Sequence, residues 1–241
     1  MRIHSLKTEL IYKKIMKNRI LSLVFLLGTS LFSYSQINEL GVSFGGSNYI
    51  GDVGNEAYIS PNEMFGGIIY KWNITPRVAF RAQGSYIRIK GDDANSTNEI
   101  RNARGFSFRN TIKEFSAGIE FNYYDYSLRK EGWGSTPYLI LEVAAFDYKT
   151  VVKETTPNTF ETEDKIGFTV PVGIGYKTKL ATDVGISFES KLRYVFADDL
   201  DYNNTKYPQL NFGEDSNDWY ITVGINIVFG FGRKDCYNEP L

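Results

Sequence analysis

Two stretches near the C-terminus, Val184–Phe196 and Trp219–Phe231, alternate apolar and polar residues over more than a dozen positions each. In the first, Val184, Ile186, Phe188, Leu192, Tyr194 and Phe196 share one face, and Gly185, Ser187, Glu189, Lys191 and Arg193 share the other. In the second, Trp219, Ile221, Val223, Ile225, Ile227, Phe229 and Phe231 oppose Tyr220, Thr222, Gly224 and Asn226. Side chains of a strand alternate faces with period two. Soluble strands run about 5–6 residues, whereas a tilted strand needs roughly 9–11 to cross a bilayer. Six more strands are predicted: Glu39–Tyr49, Met64–Trp72, Arg77–Ile89, Ile112–Tyr126, Pro137–Val151 and Ile166–Lys177. The fifth alternates least, because Tyr138–Phe146 is apolar almost throughout apart from Glu142. The sixth carries Pro171, which cannot donate to a central ladder.

The connections alternate in length. Asn73–Pro76 and Leu180–Asp183 are tight, and Ser127–Thr136 is moderately short. Ile50–Asn62, Lys90–Thr111, Val152–Lys165 and Ala197–Asn217 are longer and rich in Asp, Asn, Gly and Ser. Short periplasmic turns and long external loops mark an up-and-down membrane barrel. The pattern therefore predicts an all-β fold, an eight-stranded antiparallel up-and-down transmembrane β-barrel of outer-membrane type. It covers 36–231, with both termini periplasmic and a tail at 232–241. A soluble, exported barrel of lipocalin type is the alternative, since alternation alone does not tell inward from outward.

The polar faces bear on that choice. They carry opposite charges in mid-strand: Arg81, Glu114, Glu120, Glu142, Lys177, Glu189, Lys191 and Arg193. An eight-stranded interior is just wide enough to be filled by side chains. Arg81, Glu120, Glu142, Glu189, Lys191 and Arg193 are thus expected to form a lumenal charge network. Within it, Glu189 and Arg193 would find partners such as Arg81, Glu120 or Glu142. Val184, Ile186, Phe188, Leu192, Val223, Ile225 and Ile227 are expected to face lipid, and Asn226 the lumen.

Lys17 and Arg19 precede an apolar run, Ile20 to Phe32, and Ser33-Tyr34-Ser35 offers small residues for cleavage before Gln36. Residues 1–35 read as a signal peptide with Met16 as its natural start. No Cys follows the run, which argues against lipoprotein processing, and the run is too short for a transmembrane helix of about 20 residues. Its removal takes away six basic residues and one acidic one, leaving 21 basic against 27 acidic and a net charge of −6. A nucleic-acid binder would show a basic stripe instead. Tyr and Phe number 17 each, as aromatic girdles at two membrane interfaces require.

The only histidine, His4, lies in residues 1–35, ahead of Met16. Ser-His and Cys-His catalysis are therefore excluded from the mature chain. Metal sites of the His/Cys type are excluded with them. Asp92-Asp93 and Asp198-Asp199-Asp201 read as acidic turns rather than cation sites. No enzymatic activity, cofactor or small-molecule substrate is expected. Cys236, the single cysteine, lies in the tail. In an oxidising compartment it suggests either an interchain disulfide or a free thiol.

Several segments resemble the PorG-like outer-membrane barrels of the type IX secretion system of Bacteroidota. They are Glu39-Leu40-Gly41-x-x-x-Gly45-Gly46-x-x-Tyr49-Ile50-Gly51-Asp52, then Phe106-Ser107-Phe108-Arg109, Glu114 and Glu120-Phe121-Asn122. Thr136-Pro137-Tyr138, Pro171-x-Gly173-x-Gly175, the acidic stretch Arg193–Asn203 and Cys236 extend the likeness. The resemblance implies an accessory component for protein secretion and gliding motility that is not itself the pore. It also implies docking to a periplasmic ring of a PorK-like lipoprotein and a PorN-like protein. A generic small barrel that binds surfaces through its external loops is the competing role.

Overall fold

The computed structural model describes residues 37–55, 57, 59–130, 132–156, 159–211 and 217–232. The expected signal peptide and Cys236 lie outside the described residues. Eight strands close into one antiparallel barrel in chain order. They are β1 (Ile37–Ile50), β2 (Glu63–Asn73), β3 (Val78–Asp92), β4 (Ser107–Asn122), β5 (Ser135–Thr156), β6 (Thr159–Ala181), β7 (Val184–Val195) and β8 (Trp219–Gly232). Closure is complete, because β1 pairs with β8 from Ile37↔Gly232 to Ile50↔Trp219. No sheet edge is left along that seam.

Three boundaries differ from the sequence reading. The fourth strand ends at Asn122 rather than Tyr126. Asn122 Nδ2 and the Tyr126 N–H both donate to the Pro76 carbonyl, at 3.0 and 3.1 Å. The chain is thereby drawn across the barrel end, and Tyr126 turns inward. The connection expected at Lys90–Thr111 is largely strand, since β3 runs to Asp92 and β4 begins at Ser107. What remains holds one short helix, α1 (Glu99–Arg104), capped by Asn98 Oδ1 on the Ile100 N–H and closed by Gly105 at φ 65°. That φ is the left-handed conformation glycine adopts without strain.

The connection expected at Val152–Lys165 is strand as well. β5 has 22 residues and β6 has 23, more than a bilayer needs. Past Asp147 and Thr169 the two strands pair with each other rather than with β4 and β7. They project as a ribbon. Both faces of its outer part meet water, so the apolar–polar alternation that betrays a membrane strand vanishes there.

Pro171 lies in β6 and pairs with Arg193 of β7. On its other side, the β5–β6 ladder skips from Leu141↔Val172 to Ala144↔Thr169, with the register unchanged across the gap. The missing N–H of proline is accommodated by a local break in pairing.

Candidate functional site: an ion-paired lumen and a fastened mouth

The alternation of every strand sorts side chains radially. Leu141, Val143, Phe115, Ile174 and Phe188 point outward, each more than half exposed. Tyr70, Phe80, Phe121, Tyr123, Tyr176 and Phe231 gather on the outer surface at the end that carries the termini. Tyr86, Phe168, Tyr194, Phe196 and Trp219 do so toward the opposite end. Inside stand Glu39, Lys71, Arg81, Glu114, Glu120, Glu142, Lys177, Glu189, Lys191 and Arg193, all buried. A soluble barrel of lipocalin type would show the reverse partition. Hydrocarbon-facing belts flanked by aromatic rings around a polar interior are what a bilayer demands of a barrel.

Those ten interior charges are five cations and five carboxylates. Arg81 is the hub. Its Nη1 donates to Glu120 Oε2 at 3.2 Å and Glu189 Oε2 at 3.0 Å. Its Nη2 donates to Glu189 Oε1 and Gln83 Oε1, both at 3.2 Å. Its Nε stands 2.8 Å from Glu142 Oε1, an ion pair outside hydrogen-bond geometry. Glu120 also takes Lys71 at 2.7 Å and Lys177 at 2.5 Å. Lys191 donates to Gln83 Oε1 at 2.6 Å and lies 3.4 Å from Glu142 and 3.5 Å from Glu189. Tyr138 Oη and Asn226 Nδ2 complete the shell of Glu189 at 2.9 and 3.1 Å.

Arg193 belongs to a second cluster. Its Nε and Nη2 grip Glu114 at 2.8 and 3.0 Å, while Tyr220 Oη donates to Glu114 Oε2 at 2.6 Å. The structure therefore brings Arg81, Glu120, Glu142, Glu189 and Lys191 together and sets Arg193 apart with Glu114. Glu189 takes Arg81, one of the partners expected, whereas Arg193 takes Glu114 rather than Glu120 or Glu142. Both clusters are closed off from the ends. Ile69, Tyr126, Leu128 and Val228 fill the end nearer the termini. Tyr49, Phe65, Ile87, Phe108, Phe146 and Tyr148 are among those packing the other.

Glu39 and Lys71 escaped the sequence reading because each lies near the end of its predicted strand. Period two, carried one residue further, would have placed both inside. The glycines of the Pro171-x-Gly173-x-Gly175 segment also gain a reason. A Cβ on Gly175 would stand 2.3 Å from the Tyr138 ring, whose hydroxyl serves Glu189.

At the mouth away from the start of β1 and the end of β8, residues 196–211 of the connection between β7 and β8 lie over the barrel. Asp199 accepts hydrogen bonds from Tyr148 Oη at 2.5 Å, Thr150 Oγ1 at 2.9 Å and Lys165 Nζ at 2.6 Å. Tyr49 Oη touches both Asp201 Oδ2, at 3.0 Å, and Asp218 Oδ1. The Asn203 N–H donates to Asp201 at 2.9 Å and the Leu200 N–H to Asp218 at 3.0 Å. Burial, with the acidic neighbours adding to it, pushes Asp201 up to about 7 and Asp218 up to about 9. Asp93, also buried in this mouth, is treated differently. Burial works to raise it, but Arg104 at 2.7 Å and the N–H groups of Gly54 and Phe106 bring it below its ordinary value. Among the described residues no cluster of acids, His or Cys is arranged to hold a metal ion.

Together the closed sheet, outer belt and filled polar interior define a membrane-spanning β-barrel with no open pore. The family model described as "Domain of unknown function (DUF6089)" matches residues 18–239, and the chain belongs to that family. Curated proteins give no match. Among solved structures, similarity extends to a major outer membrane protein from Thermus thermophilus, at 11% identity and TM-score 0.46. It covers 82% of this chain and 100% of that one. The N-terminal β-barrel domain of Pseudomonas aeruginosa OprF is similar at 10% and 0.42, covering 81% and 98%. Neisserial surface protein A is similar at 9% and 0.40, covering 82% and 98%. With TM-scores below 0.5 these likenesses are descriptive only, and the architecture stands on the strand pairing itself.

Proposed function

We propose that the protein is a non-enzymatic outer-membrane barrel, with periplasmic termini, that serves the type IX secretion system as an accessory docking component. In this reading its turns and tail anchor a periplasmic ring of PorK-like and PorN-like proteins, and lipids surround its belt. The observation that carries the docking role is the lumen. It is filled by paired charges and packed at both ends, so nothing passes through, and work must be done by surfaces. The secretion system enters through the motif resemblance at Glu39–Asp52, Pro171–Gly175 and Arg193–Asn203.

Cys236 extends the proposal: a thiol in the tail would make a marginal contact persistent by linking the partners covalently. Arg233 and Lys234 beside it would steer an acidic surface. Affinity purification from native outer membranes, with co-purifying proteins identified, is the test. Recovery of ring proteins supports docking, and their absence under conditions that retain the barrel refutes it. Non-reducing gels of wild type and Cys236→Ser test the disulfide separately. No reducible higher-mass species, with secretion intact in the variant, removes it.

A second reading, surface binding through external loops, draws on the projecting β5–β6 ribbon. Shortening that ribbon would abolish surface binding but leave secretion intact.

A further inference from the structure

Two segments singled out by sequence, the Tyr49-Ile50-Gly51-Asp52 turn and the acidic stretch ending at Asp201, meet in the barrel mouth. Tyr49 Oη lies between Asp201 and Asp218, whose side chains are 0% and 1% exposed. Gly51 makes the meeting sterically possible. A Cβ there would stand 2.0 Å from Tyr49 Oη and 2.8 Å from Asp218 Oδ1.

A phenol has one hydrogen to donate. If both carboxyls were ionised, only one could receive it, and the other would face a lone pair. Both contacts become favourable when one carboxyl is protonated and donates to the Tyr49 oxygen. The surroundings agree. The charged groups facing the pair are Asp52 from the β1–β2 connection and Asp198 from the β7–β8 connection, both acidic. From β3, β4 and β5 the neighbours at this level include Ile87, Ile89, Phe108 and Phe146, all uncharged. Tyr148 is there too, but its hydroxyl serves Asp199, which Lys165 neutralises. Among the described residues no Lys or Arg lies within ion-pair distance of Asp201 or Asp218. Two buried carboxylates without a cation cannot both stay ionised at close range.

We propose that Asp201 and Asp218 share a proton through Tyr49, and that this proton fastens residues 197–211 over the barrel mouth. Opening the connection exposes both carboxyls to water and releases the proton. The sign follows from the direction of the shift, since burial holds both carboxyls above the ordinary carboxylate value while the cover is closed. The stabilisation is complete below that ordinary value and is lost as pH rises through the closed-state values. The cover is therefore held most firmly in acid and loosens progressively as pH rises. It responds to the pH outside the cell without involving the lumenal pairs.

Limited proteolysis of the full-length protein in detergent micelles, with a chelator present throughout, tests this. A broad-specificity serine protease is used, and cuts are mapped by mass spectrometry. Cleavage within 93–106 serves as the internal reference, since Asp93 is held below its ordinary value and stays ionised from about pH 6 to about pH 10. The ratio of cutting in 196–218 to cutting in 93–106 should rise by at least about tenfold over that range. Asp218→Asn mimics the protonated acid: its amide donates to Tyr49 and its oxygen still accepts the Leu200 N–H. That variant, and Asp201→Asn as a second should it fail to fold, should keep the ratio flat. A flat wild-type ratio overturns the proposal. So do Asn variants whose ratio rises in step with wild type.

Discussion

The Arg193–Glu114 pair offers the cleanest probe of the lumen, because among the described residues neither partner forms another ion pair. Glu114→Gln would turn an amide toward a guanidinium that can only donate, breaking one of two bonds now at 2.8 and 3.0 Å. Arg193→Met would leave the Glu114 carboxylate with only Tyr220 at 2.6 Å. Both groups are buried, and removing one partner of a buried pair costs about 3–5 kcal/mol. The double variant removes both charges and restores neutrality. Its cost should fall short of the summed single costs by about 2–3 kcal/mol. Urea titrations in micelles, followed by tryptophan fluorescence, supply all four corners of the cycle. Single losses below about 1 kcal/mol that add without coupling would mean these charges are solvated, and the account of a dry, paired lumen would fall.

Three further outcomes follow from the radial sorting and the mouth. Ile225→Arg places a charge among Phe44 and Phe188 on the outer belt and should weaken folding into liposomes by about 2–4 kcal/mol; an unchanged folding equilibrium would contradict the lipid-facing assignment. Gly175→Ala should cost about 1–3 kcal/mol by forcing Tyr138 off Glu189, and truncating Tyr138 in the same chain should recover part of that loss. Asp93 is held below its ordinary value, so its contribution is present above that value and lost as pH falls through the lowered one. Amide exchange at Gly54 and Phe106 should therefore quicken, relative to intrinsic rates, on acidification from about pH 6 to about pH 2, and equal protection at both would refute this.

Period two made the barrel wall legible because lipid on one side and paired charge on the other impose opposite demands on successive residues. β7 shows this most plainly, with Phe188 and Leu192 outside and Glu189, Lys191 and Arg193 inside. The rule loses its grip where both sides are alike. In β5 the inward Ile140, Ala144 and Phe146 are buried apolar side chains while Leu139, Leu141 and Val143 meet lipid, so the strand reads as one apolar run. In the ribbon both sides meet water, and Glu161–Lys165 reads as loop. Which charge pairs with which was legible only in part: Arg81 was among the partners expected for Glu189, but Glu114 was not among those expected for Arg193. Arg81 and Glu189 lie 108 residues apart, and their meeting depends on the stagger of strands around the closed sheet. The role of Tyr49 and Gly51 was hidden for the same reason, since Asp201 and Asp218 arrive from the opposite end of the chain.

That long-range pairing bears on how the barrel is made. Arg81 sits on β3, while three of its partners, Glu142, Glu189 and Glu120, come from β5, β7 and β4. Arg193 on β7 likewise waits for Glu114 on β4. A hairpin inserted alone would leave part of its charge unpaired: β3–β4 would keep Arg81–Glu120 but leave Glu114 without Arg193, in a bilayer where an unpaired charge is costly. Each added hairpin gains little until the last ones arrive and the lumen neutralises itself in one step. Assembly of this wall is thus all-or-none by electrostatics as well as by hydrogen bonding, and half-built barrels should be the species that cellular quality control sees least.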